Sequence, residues 1–541
     1  MSAAEAGARA PAATDPRRLF WGALALTLAF RFWLAWWLPV TSDEAYFIYW
    51  GEAPAAGVYD HPPMVGWLLA ALLQVAHGQV WLRLPAILAP AVIAIAMRPL
   101  VRELARGRPD AAALGDWAAL AWLVAPVQVV NVLVTTDTPL LVFSFLSLAA
   151  YALAVRRGSL ALCAAAGVAL GLAFLSKYFA VLLGLSYLVY VAAVRRDARA
   201  WLELAIVVAA ALPFGLANLA WNYEHCWANL MFNVYNRHGE AGFAWYRPLV
   251  FVALVAYVAG PLILFDLARA RGAVRAAARD PAVALLAVCA GVPLALFFAL
   301  AAFRSVGLHW VLAFMPPLFL TAALALGPAR LAASARFLGA FSALHVLAVA
   351  AVAVLPLETW QGLRKYDSIV MGARPAELLA ALKAYEGRYV FAASGYAPAV
   401  LLSYHAAESG IVAQPGADAD GRERWRTHYF PVFGPASAHG RHDDILTDFR
   451  RLDGKDIIVV RKSAAEPGEY EPYFRAVEHR EIAVRGAKFY LSIGRAFDYA
   501  AYRDRVLAEV RDRYYRIPAY LPQGRCYLCE RYWGAATCPA R

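Results

Sequence analysis

The 541-residue chain is 62% hydrophobic and only 17% charged, whereas a soluble domain is nearer half apolar and a quarter charged. That balance excludes an ordinary soluble protein. The net charge of +12 does not point to nucleic acid, because the arginines cluster between apolar runs, where membrane topology places them.

Apolar runs of membrane-crossing length recur from residue 19 to residue 356, and such runs read as transmembrane helices. The first follows Arg17 and Arg18 and offers no small-residue cleavage site, so it reads as a span and not as a leader. Arginines then gather in every second loop: Arg98 to Arg108, Arg156/Arg157, Arg195 to Arg199, Arg269 to Arg275, and Arg330/Arg336. By the positive-inside rule these loops are cytoplasmic. The pattern predicts a polytopic α-helical membrane protein of about 11–13 spans. Residues 1–18 form a cytoplasmic tail, residues 19–356 the membrane domain and residues 357–541 a soluble α/β domain on the outer side. The soluble region has strand-like "RYVFAAS", "KDIIVVRK", "EIAVR" and "AKFYLSIG" and helix-like "RPAELLAALKAYEG" and "DDILTDFRRLDG", the last closed by Gly454.

The loops predicted to face outward hold the polar groups. The first, residues 41–79, contains "TSDEAY" and "VYDHPPMVGW". Asp43 and Glu44 suit a general base at a membrane-surface cleft, a role that needs a carboxylate within reach of an acceptor proton. Asp60 and His61 precede two prolines that fix their direction. Asp43, Asp60 and His61 are also the residues that could hold a divalent metal, although their spacing is not diagnostic of one. Asp137, in "TTDTP", closes the next outward loop, where an acid serves equally well as a helix cap.

Lys177 is the only lysine before Lys365. A single ammonium at the interface suits a phosphate better than it suits snorkelling, which uses lysines in numbers. Arg304, in "FRSVGLHW", is a second candidate phosphate ligand, and His309 and Trp310 follow it. "WNYEHCWANLMFNVYNR" sets Trp221, Trp227 and Tyr235 beside Asn222, Asn229, Asn236 and Arg237. It reads as an interfacial aromatic belt or as a wall for a sugar or headgroup. Three cysteines in "CYLCERYWGAATC" suggest a local disulfide in an oxidising compartment, with one thiol left over.

Taken in order, "SDEAYFIYW", "YDHPPMVGWLL", "VWLRLPA", "TTDTPLLVF", "GLAFLSKYFAVLL", "PFGLANLAWNYEHCWANLMF" and "GLHW" resemble the C-type glycosyltransferases that use polyprenyl-phosphate sugars. They resemble above all the bacterial protein mannosyltransferase superfamily, which includes the aminoarabinose transferase of lipid A. The resemblance covers about residues 15–320 and leaves the tail uncovered. It implies an inner-membrane enzyme, with cytoplasmic N-terminus and periplasmic tail, that transfers a sugar with inversion from a lipid-phosphate donor to a lipid, glycan or protein. In this scheme Asp43 is the base, accompanied by Glu44, and Asp137 is a second acid. Lys177 sits on the donor phosphate, and His61, which stands where the aminoarabinose transferase has a lysine, is a further candidate ligand of that phosphate. From their places in the outward loops Asp60, Trp221, Asn222, His309 and Trp310 are read as substrate contacts, and His309-Trp310 resembles a recurring late motif of the family. A closed cleft between the outer loops and the tail is then expected, since water would waste the donor. The rival readings are a transporter or flippase of a lipid-linked anion, which would place polar groups nearer mid-membrane and in repeated halves, and a non-catalytic scaffold.

Overall fold

The computed structural model describes residues 15–236, 242–417 and 424–539. Most of the predicted cytoplasmic N-terminal tail and Arg237 lie outside the described residues.

Among the described residues, seven helices are long and apolar enough to cross a membrane. They are Pro16–Trp37, Gln79–Leu104, Asp137–Arg157, Ala198–Glu224, Pro281–Ala301, Leu308–Ala325 and Pro328–Val354. An eighth span is counted if Arg247–Ala259 and Pro261–Arg269, bent by 103°, act as one. Gly260 makes that bend at φ 92°, a conformation that costs glycine little, and Pro261 starts the second helix. Four further apolar helices are shorter: Met64–Leu73, Ala111–Leu123, Leu160–Ser176 and Ala180–Arg195. The difference from the longer runs predicted has local causes. Pro126 breaks one run by opening a separate short helix, and the chain goes extended at Lys177 in another. At ~1.5 Å per residue, Met64–Leu73 reaches only about half of a ~30 Å hydrocarbon layer.

Burial separates central from peripheral helices. In the most apolar 18 residues of each, 78% of Leu308–Ala325 is buried but only 11% of Pro328–Val354. The exposed apolar side chains of the latter, such as Leu344 and Leu347, suit lipid.

After residue 357 the chain builds a four-stranded sheet in the order β1-β2-β4-β3: β1 Val390–Ala393, β2 Ile457–Arg461, β3 Phe474–Val484 and β4 Ala487–Phe497. β1 and β2 are parallel and the other pairs antiparallel. β1 and β2 are buried throughout; β1 is wholly apolar, and β2 is apolar up to Arg461, which is buried against Glu469 and Tyr470. β3 is a charged, exposed edge that resists further pairing. The segment "DDILTDFRRLDG" is not one helix. A short turn Asp443–Leu446 gives way to an extended Thr447, and Asp448 caps a separate 3-10 turn, Phe449–Leu452, because an aspartate competes for nearby backbone N–H groups.

The sheet region is fastened to the membrane helices. Helix Tyr396–Ser409 packs Val400 and Tyr404 against Tyr46, Tyr49 and Trp50 of the helix Ser42–Glu52. Cys226 is bonded to Cys526 and Cys529 to Cys538. The thiol that seemed left over in the tail is thus paired, 300 residues away. The three tail sulfurs lie within 4.8 Å of one another, but disulfide bonding withdraws them from metal binding. Beside the 226–526 bond, the Cys226 N–H donates to the Arg525 carbonyl at 2.8 Å and Trp227 Nε1 to the Pro522 carbonyl at 2.9 Å.

Candidate active site

The helix Ser42–Glu52 opens on a capping box. Thr41 accepts from the Glu44 N–H, and the Glu44 carboxylate accepts from the Thr41 N–H. Asp43 and Glu44 therefore share the first helical turn, where the dipole favours acids. Successive helical residues point about 100° apart, so the two carboxylates part company. Glu44 turns inward and takes Arg83 in two bonds, Nε–Oε1 at 2.8 Å and Nη2–Oε2 at 2.7 Å. Arg83 also donates to the carbonyls of Ala35, Leu38 and Pro39, closing the end of the first membrane helix. Glu44 thus lies outside the cavity described next, in a buried structural pair, because helical geometry aims it at the core.

Asp43 faces a cavity of about 620 Å³. Asp60, His61, Asp137, Lys177, His309 and Trp310 line the same cavity, along with Asn131, Tyr178, Asn233, Tyr396 and Arg441. Residues dispersed over nearly 400 positions are brought to one space where the membrane helices meet the tail.

Lys177 owes its place to a break. The helix Leu160–Ser176 ends as Lys177 turns extended, and the ammonium reaches Asp137, 2.8 Å from both carboxylate oxygens. Asp137 starts the neighbouring helix, Asp137–Arg157. Both side chains are about nine-tenths buried. Phe179 lies 5.1 Å under the ammonium and packs on Trp310, ring centroids 4.9 Å apart. His309 and Trp310 belong to a 3-10 turn, Leu308–Phe314, that forms this side of the wall.

Asp60 is buried and held from the tail. Its Oδ1 accepts from the Tyr46 hydroxyl at 2.9 Å and its Oδ2 from Arg441 Nη1 at 2.6 Å. The adjoining His442 N–H donates to the Tyr46 oxygen, and the Tyr59 N–H donates to His442 Nδ1. Burial pushes His442 down to about 3 and Asp443 up to about 7. The first is therefore a neutral acceptor for the Tyr59 N–H, and the second keeps its proton to a higher pH than an exposed aspartate would. Asp443 also bonds Tyr429, whose hydroxyl donates to it at 2.5 Å.

Other sequence candidates lie elsewhere. Trp221 is not in the cavity wall. It stacks on His225 at 4.3 Å and covers Gly57, where an added Cβ would come 2.3 Å from the indole. Asn222 donates to the Asn218 carbonyl and ties its own helix. Neither reaches the cavity, because both spend their faces on packing. Arg304 does not line it either. Among the described residues, Asp43, Asp60 and His61 do not gather three ligand atoms within 4.8 Å of one another, since the Asp60 carboxylate is engaged by Tyr46 and Arg441.

Over nearly its whole length the chain superposes on solved structures of ArnT from Cupriavidus metallidurans. For ArnT bound to undecaprenyl phosphate the TM-score is 0.58 at 15% identity, covering 87% of this chain and 97% of ArnT. The apo form gives a TM-score of 0.54 at 16% identity with the same coverage. The chain has the C-type glycosyltransferase fold.

Residues 60–221 also match the family described as dolichyl-phosphate-mannose-protein mannosyltransferase. Lipid A galacturonosyltransferase RgtD of Rhizobium johnstonii is 31% identical over 231 residues, which is 41% of this chain and 47% of RgtD. The chain thus spans about half the length of that curated relative. Within the fold, the tail supplies site residues that the sequence did not single out. Arg441 and Tyr396 come from a region rich in arginine and tyrosine, where one more of either carries no signal. Tyr178 sits next to Lys177 and donates to Asn218 Oδ1 at 2.8 Å. Its position beside the one conspicuous lysine was the available clue.

Proposed function

We propose that this protein transfers a sugar from a polyprenyl-phosphate donor to a lipid acceptor at the outer face of a bacterial inner membrane, with inversion at the anomeric carbon. The observation that carries the reading is the joining, in one cavity at the end of the membrane helices, of the acidic Asp43 and the cationic Lys177. Among the described residues Asp43 takes part in no ion pair, so its carboxylate is available to a substrate.

In this scheme the acceptor hydroxyl oxygen bonds to the anomeric carbon while the bond from that carbon to the donor phosphate oxygen breaks. The hydroxyl proton passes to Asp43, and the electron pair leaves on the polyprenyl phosphate. Lys177 stabilises the charge that grows there, an effect that is large in a site closed to water. Asp137 holds the ammonium until the phosphate arrives. The cavity is walled by Tyr396 and Arg441 of the tail, which supports the expectation of a closed cleft. The Arg-rich alternate loops and the two disulfides support placing the tail outside. RgtD is by name a lipid A galacturonosyltransferase, which supports a lipid acceptor.

The test is donor turnover. Purified protein is incubated with a panel of polyprenyl-phosphate sugars, galacturonosyl included, and a lipid extract. Release of polyprenyl phosphate, lost in Asp43→Asn and Lys177→Ala, is the expected result. No release from any donor would overturn the reading.

A further inference from the structure

Among the described residues, Arg441 is the one strong cation that the tail places in the cavity, and its surroundings restrict what it can do. One face of the guanidinium lies 4.7 Å from the centroid of Phe232 and it also sits 4.8 Å from that of Tyr396. The rings guide its plane and shield it from water. Among the described residues only Nη1 forms a hydrogen bond, to Asp60. Among the described residues its Nε and Nη2 donors meet no acceptor, and with the side chain 33% exposed that edge is open to the cavity. A guanidinium with one edge taken and another open is shaped to receive a planar or trigonal oxyanion in parallel bonds. Asp60 cannot turn to fill that edge, because Tyr46 and the Asn233 amide, which donates to the Asp60 carbonyl at 2.9 Å, fix the residue.

The donor phosphate already has a cation in Lys177, so Arg441 serves a different group. Tyr46, three residues after Asp43 on the same helix, bonds the same Asp60 carboxylate as Arg441, and its ring lies 5.4 Å from that of Tyr396, which carries Arg441. Arg441 therefore lies on the base side of the cavity, where the transferred sugar and the acceptor meet. We propose that Arg441 is a specificity-determining residue that binds a second oxyanion, a carboxylate on the sugar or a phosphate on the acceptor lipid, distinct from the donor phosphate. This rests on the glycosyl-transfer reading above.

The experiment compares wild type, Arg441→Gln and Arg441→Lys in a two-by-two design. The donors are a polyprenyl-phosphate hexuronic acid and the matching neutral hexose, and the acceptors are one lipid with and without its phosphate. Wild type should prefer the oxyanion-bearing member of one pair by tenfold or more in kcat/KM. Arg441→Gln should erase that preference by slowing the charged substrate alone, and Arg441→Lys, which keeps charge but not the fork, should retain part of it. Loss of the donor preference assigns a sugar carboxylate, and loss of the acceptor preference assigns a lipid phosphate. Equal slowing of all four combinations by Arg441→Gln, or a wild type indifferent to both charges, would overturn the proposal and leave Arg441 as a tail-docking contact. Absence of turnover from every donor is a different result: it overturns the transfer reading, and the Arg441 assignment falls with it.

Discussion

Lys177 and Asp137 face each other across two helix ends, the ammonium 2.8 Å from each carboxylate oxygen and both groups nearly sealed from solvent. A phosphate entering the cavity must share Lys177 with Asp137 or displace it. Removing either partner therefore has opposite consequences for binding. Lys177→Ala should weaken polyprenyl-phosphate binding by tenfold or more, at ~1.4 kcal/mol per tenfold. Asp137→Asn should leave it unchanged or tighten it. Isothermal titration in detergent checks this; equal weakening in both variants would show that the pair acts as a structural unit.

Asp43 and Glu44 are neighbours in sequence with different surroundings. Asp43→Asn should lower turnover by roughly 10²–10⁴-fold, the usual worth of a general base, with donor affinity and melting temperature kept. Glu44→Gln should act on stability, because it leaves the Arg83 guanidinium buried without its charge partner, a change that costs about 3–5 kcal/mol. Measuring melting and turnover on both variants separates the two roles. A large melting shift in Asp43→Asn would contradict the assignment.

The buried neighbours His442 and Asp443 give stability a pH dependence that is hidden in the wild type. Asp443, raised from 3.8 to about 7, binds its proton more tightly when folded. Its contribution is full below about 4 and is lost as pH rises through about 7. His442, lowered from 6.5 to about 3, contributes fully above 6.5 and loses it as pH falls toward 3. Between about 4 and 6.5 the two slopes oppose each other. Asp443→Asn should therefore melt at rising temperature as pH climbs from 3 to 6.5, and His442→Asn at falling temperature from about 4 to 7. Flat profiles in both would refute the coupling.

The bond between Cys226 and Cys526 closes a loop of 300 residues. Its removal in a Cys226→Ser/Cys526→Ser double variant should cost about 2–4 kcal/mol. It should also lower kcat/KM more than it lowers affinity for polyprenyl phosphate alone, since Lys177 belongs to the membrane helices and Arg441 to the tail. Equal losses of both would show that the bond stabilises the whole molecule without a special effect on the cavity wall.

What could be read from the sequence follows from contrast. Asp43, Asp60, His61, Asp137, Lys177, His309 and Trp310 stand out because each interrupts or borders apolar sequence, and all seven line one cavity. The same contrast gave the membrane character and the four strands of the tail. It failed where the background is already polar or aromatic, which hid Arg441 and Tyr396. It misplaced Trp221, because a tryptophan that covers Gly57 and one that would cover a sugar have the same local sequence. Adjacent acids also looked equivalent until the helix gave them directions. The partner of the odd cysteine, 300 residues distant, was beyond any local pattern.

That long-range bond also bears on how the protein comes into being. Cys226 leaves the ribosome well before Cys526, so the membrane half must be inserted and waiting before the cavity's last wall can be latched. On the proposed topology, forming this bond needs an oxidant on the tail's side of the membrane, and a reduced chain would be inserted but without its covalent latch. On the proposed topology this latch is closed after synthesis, in the compartment where the tail resides.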